Sequence, residues 1–286
     1  MKVEFYDDIR KFINLVYPFL MQKEAENNIF FAILNSLKEN PQRFGDIKPD
    51  LITVKSNNDI TLVSIRTPPL SQLLSYTDNL NSIDILIEEL INRTKIIPGI
   101  LGFKAGVEKF VKIWCQKKNL KSHLIRNEKA YKLEKVAKET LGNREFRFGS
   151  LSDQSLILDW VKNFIIEALP ETKEEEIVAN QERVKNDIEK GRIFLLLDKK
   201  KVVSMARKAG KTPNGNLVNL VYTPPSLRRR GYATECVARL SKILLDEGNT
   251  FCFLYTDLMN PTSNSIYQKI GYHPVIDVDH YEFLED

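Results

Sequence analysis

A glycine-containing turn between a strand and a helix constrains this chain more than any other stretch of its sequence. Residues 217–223 carry alternating apolar side chains and predict a strand. Pro224 and Pro225 end that strand, because proline has no N–H group to donate to a sheet. The turn reads RRRGYA over residues 228–233, and Gly248 ends the helix that follows. One face of this helix is apolar at every third or fourth position, namely at Ala233, Val237, Leu240 and Leu244.

This turn predicts a binding site for an anion. The first N–H groups of a helix have no partners and carry partial positive charge, which favours phosphate. Gly231 leaves the backbone approachable, and Ala233 keeps the next such position small. The arginines at positions 228–230 add charge that neutral pH does not remove. The predicted ligand is a pyrophosphate, and an ordinary surface helix is the alternative that these residues alone leave open.

The sequence that follows strengthens this prediction. Residues 251–256 predict a second strand, and a short helix then begins after Asn260 and ends at Gly271. The order is therefore Arg-x-x-Gly-x-Ala after a strand, a strand that ends near an asparagine, and Tyr267 four residues before a Gly-Tyr pair. This order and spacing resemble the acetyl-CoA-binding half of the GNAT N-acetyltransferases. The resemblance covers the chain from roughly Arg144 to its C-terminus.

The resemblance implies acetyl-CoA as the cofactor and a set of contacts to it. In the GNAT family the strand before the loop pairs with the pantetheine arm, and the loop binds the pyrophosphate through backbone N–H groups. The implied strand contacts are Leu220, Val221, Tyr222 and Thr223, the loop contacts are Arg228, Arg229, Arg230, Gly231, Tyr232, Ala233 and Thr234, and further contacts are Asn260 and Asn264. Parting of the two strands at Val221 and Phe253 would leave N–H groups that polarise the thioester carbonyl.

Acyl transfer to an amine also needs a proton donor for the departing thiolate. The resemblance makes Tyr267 this general acid, and the alternative is an ordinary tyrosine of the core. Many family members carry a carboxylate on the strand that leads to the loop. This chain has Asn219 and Tyr222 at those positions, so a direct protein base is in doubt.

Two side chains and a water chain are candidates for the base. The first candidate is Glu167, which lies at the end of a predicted helix that carries Trp160. A water chain is an equal alternative, and His280 is a further candidate. Arg207 and Trp160 are candidates for the lining of an acceptor pocket, although packing or surface positions explain both residues equally simply.

The first half of the chain contains a weak echo of the second. Residues 63–69 (VSIRTPP) resemble residues 219–225 (NLVYTPP), which predicts a duplicated fold, with coincidence as the alternative. Residues 70–75 contain no glycine or arginine, so the first copy has no predicted cofactor loop. The whole chain also resembles tandem GNAT proteins with a degenerate N-terminal half. We therefore expect an α/β fold of two GNAT-like domains, each with a twisted, mixed and mostly antiparallel sheet flanked by helices, over residues 1–140 and 141–286.

Composition excludes several classes of protein. The 286 residues carry a formal net charge of +4, which is too small to indicate a nucleic-acid binder. No apolar run is long enough for a membrane span, and the charged N-terminal sequence does not resemble a signal peptide. Three widely spaced cysteines predict neither a disulfide framework nor a zinc site. We therefore expect a cytoplasmic monomer or homodimer without a metal.

Three functions agree with these observations to different degrees. The first is an acyl-CoA-dependent N-acetyltransferase that transfers acetyl to a primary amine in a ternary complex, with Tyr267 in its motif as support. The second is a non-catalytic CoA-binding or sensing module, which the missing carboxylate favours. The third is a nucleic-acid-binding protein, which only the arginine run suggests, because no stacking aromatics are interleaved with it. The sequence does not identify the acceptor amine.

Overall fold

A computed structural model of the protein describes residues 1–93, 95–168 and 172–285. These residues form helices and strands in two compact units. The first unit comprises Met1–Ala130, Thr256–Met259 and Pro274–Asp286, and the second comprises Tyr131–Tyr255 and Asn260–His273. Among the described residues, no helix is both long and apolar enough to span a bilayer.

The order of helices and strands is the same in both halves of the described chain. The first half contains β1 (Lys2–Tyr6), α1 (Ile9–Met21), α2 (Asn28–Glu39), β2 (Asp50–Ser56), β3 (Asp59–Arg66), β4 (Gln72–Leu74), α3 (Asn81–Asn92), β5 (Gly99–Phe103), α4 (Lys104–Lys118) and β6 (Lys121–Leu133). The second half contains β7 (Glu145–Phe148), α5 (Gln154–Ala168), α6 (Glu174–Glu189), β8 (Ile193–Asp198), β9 (Lys201–Lys211), β10 (Gly215–Tyr222), α7 (Tyr232–Asp246), β11 (Phe251–Asp257), α8 (Pro261–Ile270) and β12 (His273–Leu284). This repetition supports a duplicated fold.

The sequence echo does not align equivalent strands, however. Thr67-Pro68-Pro69 follows β3, which is the third strand of its half, whereas Thr223-Pro224-Pro225 follows β10, which is the fourth. The counterpart of β10 is the short strand β4. The duplication is therefore carried by the order of elements and not by the Thr-Pro-Pro sequences.

The first unit is a mixed sheet with helices on both faces. Its strands lie in the order β1, β2, β3, β4, β5, β12, β6, with β6 contributing residues 121–130, and from β1 to β12 all neighbours are antiparallel except β4 and β5. One core packs α1 and α2 around Phe12, Phe30 and Leu34, and the other packs α3 and α4 around Leu86 and Phe110.

The second unit has the same architecture. Its strands lie in the order β7, β8, β9, β10, β11, and only β10 and β11 are parallel to each other. Val237, Leu240 and Ile270 bury α7 and α8 in one core, while Trp160 and Val184 bury α5 and α6 in another. Each unit therefore has a mixed, mostly antiparallel sheet flanked by helices, which confirms the predicted fold class.

The two units exchange chain segments. Strand β12 comes from the second half but completes the sheet of the first unit, where it pairs with β5 from Val278↔Phe103 to Glu282↔Gly99. The end of β6 contributes Tyr131 and Leu133 to a core of the second unit. The predicted domains, 1–140 and 141–286, follow a single cut of the chain, so their limits differ from those of the compact units. That the second of them is catalytic stays a prediction.

Candidate functional site

A β-bulge interrupts the strand that was predicted to contact pantetheine. The parallel pairing of β10 with β11 runs from Gly215↔Phe251 to Leu217↔Phe253 and ends there, although both strands continue. On the other side of β10, the register with β9 passes from Asn219↔Arg207 to Tyr222↔Met205, so β10 contains one extra residue. Leu220 lies within this bulge with a φ of 50°, a left-handed conformation that is uncommon for leucine. The bulge therefore coincides with the predicted contacts 220–223.

The predicted pyrophosphate turn has the backbone geometry of an open helix N-terminus. Gly231 is the N-cap of α7 with a φ of 78°, and no side chain of a described residue caps this helix. The amide of Glu235 donates to the carbonyl of Gly231 over 3.0 Å, so the first turn is regular. A Cβ built on Gly231 would have no atom within 4 Å. The glycine is therefore required by its backbone conformation, and the space beside it is open.

The three arginines of the turn have different environments. Arg228 forms a bidentate ion pair with Glu167, with Nη1–Oε1 and Nη2–Oε2 distances of 2.8 and 2.6 Å. Its Nε also donates to the carbonyl of Thr223 over 2.9 Å, and Glu167 raises the pKa of this guanidinium. Arg230 makes one long hydrogen bond to the carbonyl of Ser226 (3.4 Å), and Arg229 has no partner in the described part of the chain. Arg229 and Arg230 are therefore the arginines available to a ligand.

The side chain of Tyr232 points into the protein. Its hydroxyl donates to Asp198 over 2.6 Å, and the guanidinium of Arg144 lies 4.9 Å from the centre of its ring. Arg144 also pairs with Glu235 in the first turn of α7, where Glu235 is buried. These contacts hold the start of α7 in place. Tyr232 can therefore contact an anion only through its backbone, whereas the half-buried Thr234 also has a hydroxyl that can donate.

Asn260 and Asn264 stabilise the start of α8. The side chain of Asn260 accepts from the amide of Ser263 over 3.0 Å, which makes it an N-cap. The Nδ2 of Asn264 donates to the carbonyl of Asn260 over 2.8 Å, and its Oδ1 accepts from the hydroxyl of Tyr131 over 2.9 Å. Both predicted cofactor contacts thus have structural roles that the sequence analysis did not foresee.

Tyr267 lies on α8 in the same core as α7. Its side chain is 8% exposed, and its ring lies 6.3 Å from that of Tyr131 and 6.0 Å from that of Tyr272. Its hydroxyl has no hydrogen-bond partner among the described residues. Burial raises the pKa of Tyr267 to about 12, so the phenol keeps its proton at neutral pH.

The opposite face of the second unit combines aromatic and charged residues. Trp160 contacts Tyr222 at 5.7 Å between ring centres, and Met205 and Leu220 belong to the same core. Beside them, Arg207 donates through Nε to Asn219 (2.8 Å) and through Nη1 to Asp187 (3.1 Å). Asp187 was not among the candidate residues, because it lies in a stretch with many charged residues, a pattern typical of a solvated helix face.

His280 lies in the first unit. Its Nε2 is 2.9 Å from the hydroxyl of Ser71, and burial lowers its pKa to about 4, with the charge of Arg126 acting in the same direction. The imidazole is therefore neutral at pH 7. The other candidate base, Glu167, lies in the second unit and is bound to Arg228.

Comparisons with known proteins agree with this architecture. Residues 196–283 match the model of the FR47-like protein family. A Drosophila protein superimposes with a TM-score of 0.63 at 14% identity, covering 99% of this chain and 98% of its own. An acetyltransferase of the GNAT family from Colwellia psychrerythraea superimposes with a TM-score of 0.56 at 13% identity, and the match covers 99% of this chain and 100% of that protein. A GCN5-related N-acetyltransferase from Sphaerobacter thermophilus superimposes with a TM-score of 0.54 at 12% identity, and the match covers 89% of this chain and 85% of that protein. No curated protein matches the sequence significantly.

These likenesses establish the fold. The chain has the fold of the GNAT acetyltransferases over nearly its whole length. Within it, the segment from β8 to β12 is the FR47-like part, and this segment contains the bulge, the turn and Tyr267.

Proposed function

We propose that this chain is an acyl-CoA-dependent N-acetyltransferase that transfers acetyl from acetyl-CoA directly to a primary amine. One observation carries the proposal. A bulged strand stops pairing with its parallel neighbour and then leads into a glycine-capped helix whose N-terminus has no side-chain cap. In this geometry the strand could donate backbone N–H groups to the pantetheine arm of the cofactor, and the helix N-terminus could donate them to its pyrophosphate.

The residues of the turn fit the cofactor. The N-terminus of α7 would hold the pyrophosphate through the amides of residues 232–234, and the exposed Arg229 and Arg230 would add charge. Arg228 would contribute indirectly, because its bonds to Glu167 and Thr223 fix the loop between β10 and α7. When bound, acetyl-CoA would supply the activated acyl group. The protein would supply position, which lowers the barrier by several kcal/mol.

We propose that Tyr267 stabilises the departing thiolate. A phenol with a pKa of about 12 is a weak acid towards a thiol of pKa ~8.5, so complete proton transfer would be uphill by roughly three units, or ~4–5 kcal/mol. A hydrogen bond from the hydroxyl to the sulfur would avoid that cost while neutralising part of the developing charge. The hydroxyl has no protein partner among the described residues, so it could donate this bond.

The proton of the amine would leave through water. Asn219 has a carboxamide that does not take up a proton near neutral pH, and Glu167 is held by two bonds to Arg228, so neither side chain is a ready base. The pair supports a role for Glu167 in holding the cofactor loop rather than in removing a proton. A solvent path replaces the carboxylate that many members of the family carry.

The first unit would have no cofactor site. Its counterpart of β10, the strand β4, pairs with β5 along its whole length, from Gln72↔Ile100 to Leu74↔Gly102. A Cβ on Gly102 would lie 2.7 Å from the carbonyl oxygen of Leu74, so β4 and β5 are too close together for a pantetheine arm to lie between them. We propose that this unit is a degenerate copy with a structural role, and that the protein works in the cytoplasm, where its three free cysteines would stay reduced.

A non-catalytic CoA-binding module is the second candidate function, which the weak acidity of Tyr267 and the missing carboxylate favour. Calorimetric titration with acetyl-CoA tests both functions, with ATP as a control ligand. Binding of acetyl-CoA with release of CoA in the presence of an amine supports the enzyme, and binding without turnover supports the module. Absence of binding would contradict both.

A further inference from the structure

Positive charge exceeds negative charge at one end of β9 in the second unit. Asp187 on α6 accepts from Arg207 (3.1 Å) and from Arg192 (3.2 Å), and the charge of Arg183 also reaches Arg207. We call Arg183, Arg192, Arg207 and Asp187 the arginine cluster. Two guanidinium groups, those of Arg192 and Arg207, pair with the single carboxylate of Asp187, so this pairing leaves one positive charge in excess.

Arg207 is the least exposed arginine of this cluster, and one nitrogen of its guanidinium is available to a ligand. Its side chain is 23% exposed, and burial lowers its pKa, a shift that Asp187 opposes. Nε donates to Asn219 and Nη1 to Asp187, while Nη2 has no partner among residues 1–93, 95–168 and 172–285. A guanidinium in this position is rigid, weakly hydrated and able to bind a carboxylate with charge-assisted hydrogen bonds.

The cluster lies where the acyl group would be presented. Asn219, which receives the Nε bond of Arg207, lies two residues after the last β10–β11 pair and directly before the bulged Leu220. The apolar side chains of Trp160, Tyr222 and Met205 are buried beside it. An amine that reached the parted strands on this face would therefore meet the cationic end of Arg207, which the buried core holds in place.

We propose that the acceptor is an amine that carries a carboxylate, namely a free α-amino acid, and that Arg207 binds this carboxylate. The inference rests on the proposed acetyltransferase function and names its substrate class. In the reaction, the amine nitrogen forms a bond to the acyl carbon while the carbon–sulfur bond breaks. The nitrogen loses one proton to water, and the thiolate, which the hydroxyl of Tyr267 stabilises, takes one proton from water, so the products are an N-acetylamino acid and CoA.

The test compares acids with their amides. CoA release from acetyl-CoA is measured for the wild type with the twenty amino acids and with their carboxamides, which keep the amine and lose the charge. We expect at least one acid to exceed its amide about 10-fold or more in kcat/KM. Arg207→Gln should raise KM for that acid ~10- to 100-fold, because the variant loses one pair of charge-assisted hydrogen bonds to the carboxylate. KM for the amide and KM for acetyl-CoA should stay unchanged.

Two further variants keep the result interpretable if Arg207→Gln folds poorly. Arg192→Gln changes an exposed cluster member and should raise KM for the acid less than Arg207→Gln does. Lys208→Gln, next to Arg207 but paired with Glu247, removes a charge outside the cluster and should change neither KM. Equal use of acids and amides, equal effects of Lys208→Gln and Arg192→Gln, or acetylation of none of the acids would overturn the proposal. Failure of the wild type to bind acetyl-CoA would instead refute the acetyltransferase function on which it rests.

Discussion

Substitution of Gly231 by alanine separates the conformational role of this glycine from its role in binding. The φ of 78° is left-handed, and a Cβ would have no atom within 4 Å, so the substitution creates strain without a clash. A non-glycine residue in this region costs roughly 1–2 kcal/mol. For one unit of this size that corresponds to a fall in Tm of about 2–8 °C.

The substitution should also weaken the binding of acetyl-CoA. The added methyl group stands at the helix N-terminus, where a phosphate would approach the amides of residues 232–234. Loss of one or two charge-assisted hydrogen bonds should weaken acetyl-CoA binding about 10- to 100-fold in calorimetric titration.

Gly248 provides a matched control at the other end of α7. Its φ of 95° is also left-handed, and a Cβ there likewise meets no atom within 4 Å. Gly248→Ala should therefore lower Tm as much as Gly231→Ala does and leave the Kd for acetyl-CoA unchanged. Equal Kd values for the wild type and Gly231→Ala, or equal losses in both variants, would refute the assignment of the pyrophosphate to this turn.

Three other substitutions test the remaining assignments. Tyr267→Phe should lower kcat at least ~10-fold, because the departing thiolate loses a hydrogen bond. Tm and the Kd for acetyl-CoA should change little, because the hydroxyl has no protein partner among the described residues. An unchanged kcat would remove Tyr267 from the mechanism. Glu167→Gln should raise KM for acetyl-CoA and leave the pH profile of kcat unchanged. Loss of the acidic limb of that profile would instead identify Glu167 as the base. Glu174→Gln, which breaks an exposed ion pair with Lys162, is the control variant. Because the pKa of His280 falls from 6.5 to about 4 on folding, the unfolded chain binds an extra proton in that range and stability decreases as pH falls through it. Urea unfolding should show a smaller decrease for His280→Gln, and an equal decrease would show that other groups cause it.

Local patterns predicted the elements around the turn well. The strand expected over 217–223 is β10 (Gly215–Tyr222), and the helix expected from Ala233 is α7 (Tyr232–Asp246). Strand β1 was missed, because its apolar residues continue the spacing of the helix behind it. The true boundary is Asp8, whose side chain accepts from the amides of Arg10 and Lys11 and caps α1.

Long-range contacts were not predictable from such patterns. Glu167 and Arg228 are 61 positions apart, and each is an ordinary charged residue in its own segment. The bulge at Leu220 has no glycine to mark it, and Asp187 lies in a helix with many charged neighbours. These contacts are set by the packing of separate elements, so no single stretch of sequence contains them.

The exchange of end strands has a consequence for how this protein is made. Leu101 on β5 pairs with His280, so the first unit receives one of its strands only after residues up to about 282 have left the ribosome. Such distant pairing closes a large loop and slows folding. Until then β5 presents an unsatisfied edge, which other chains could occupy.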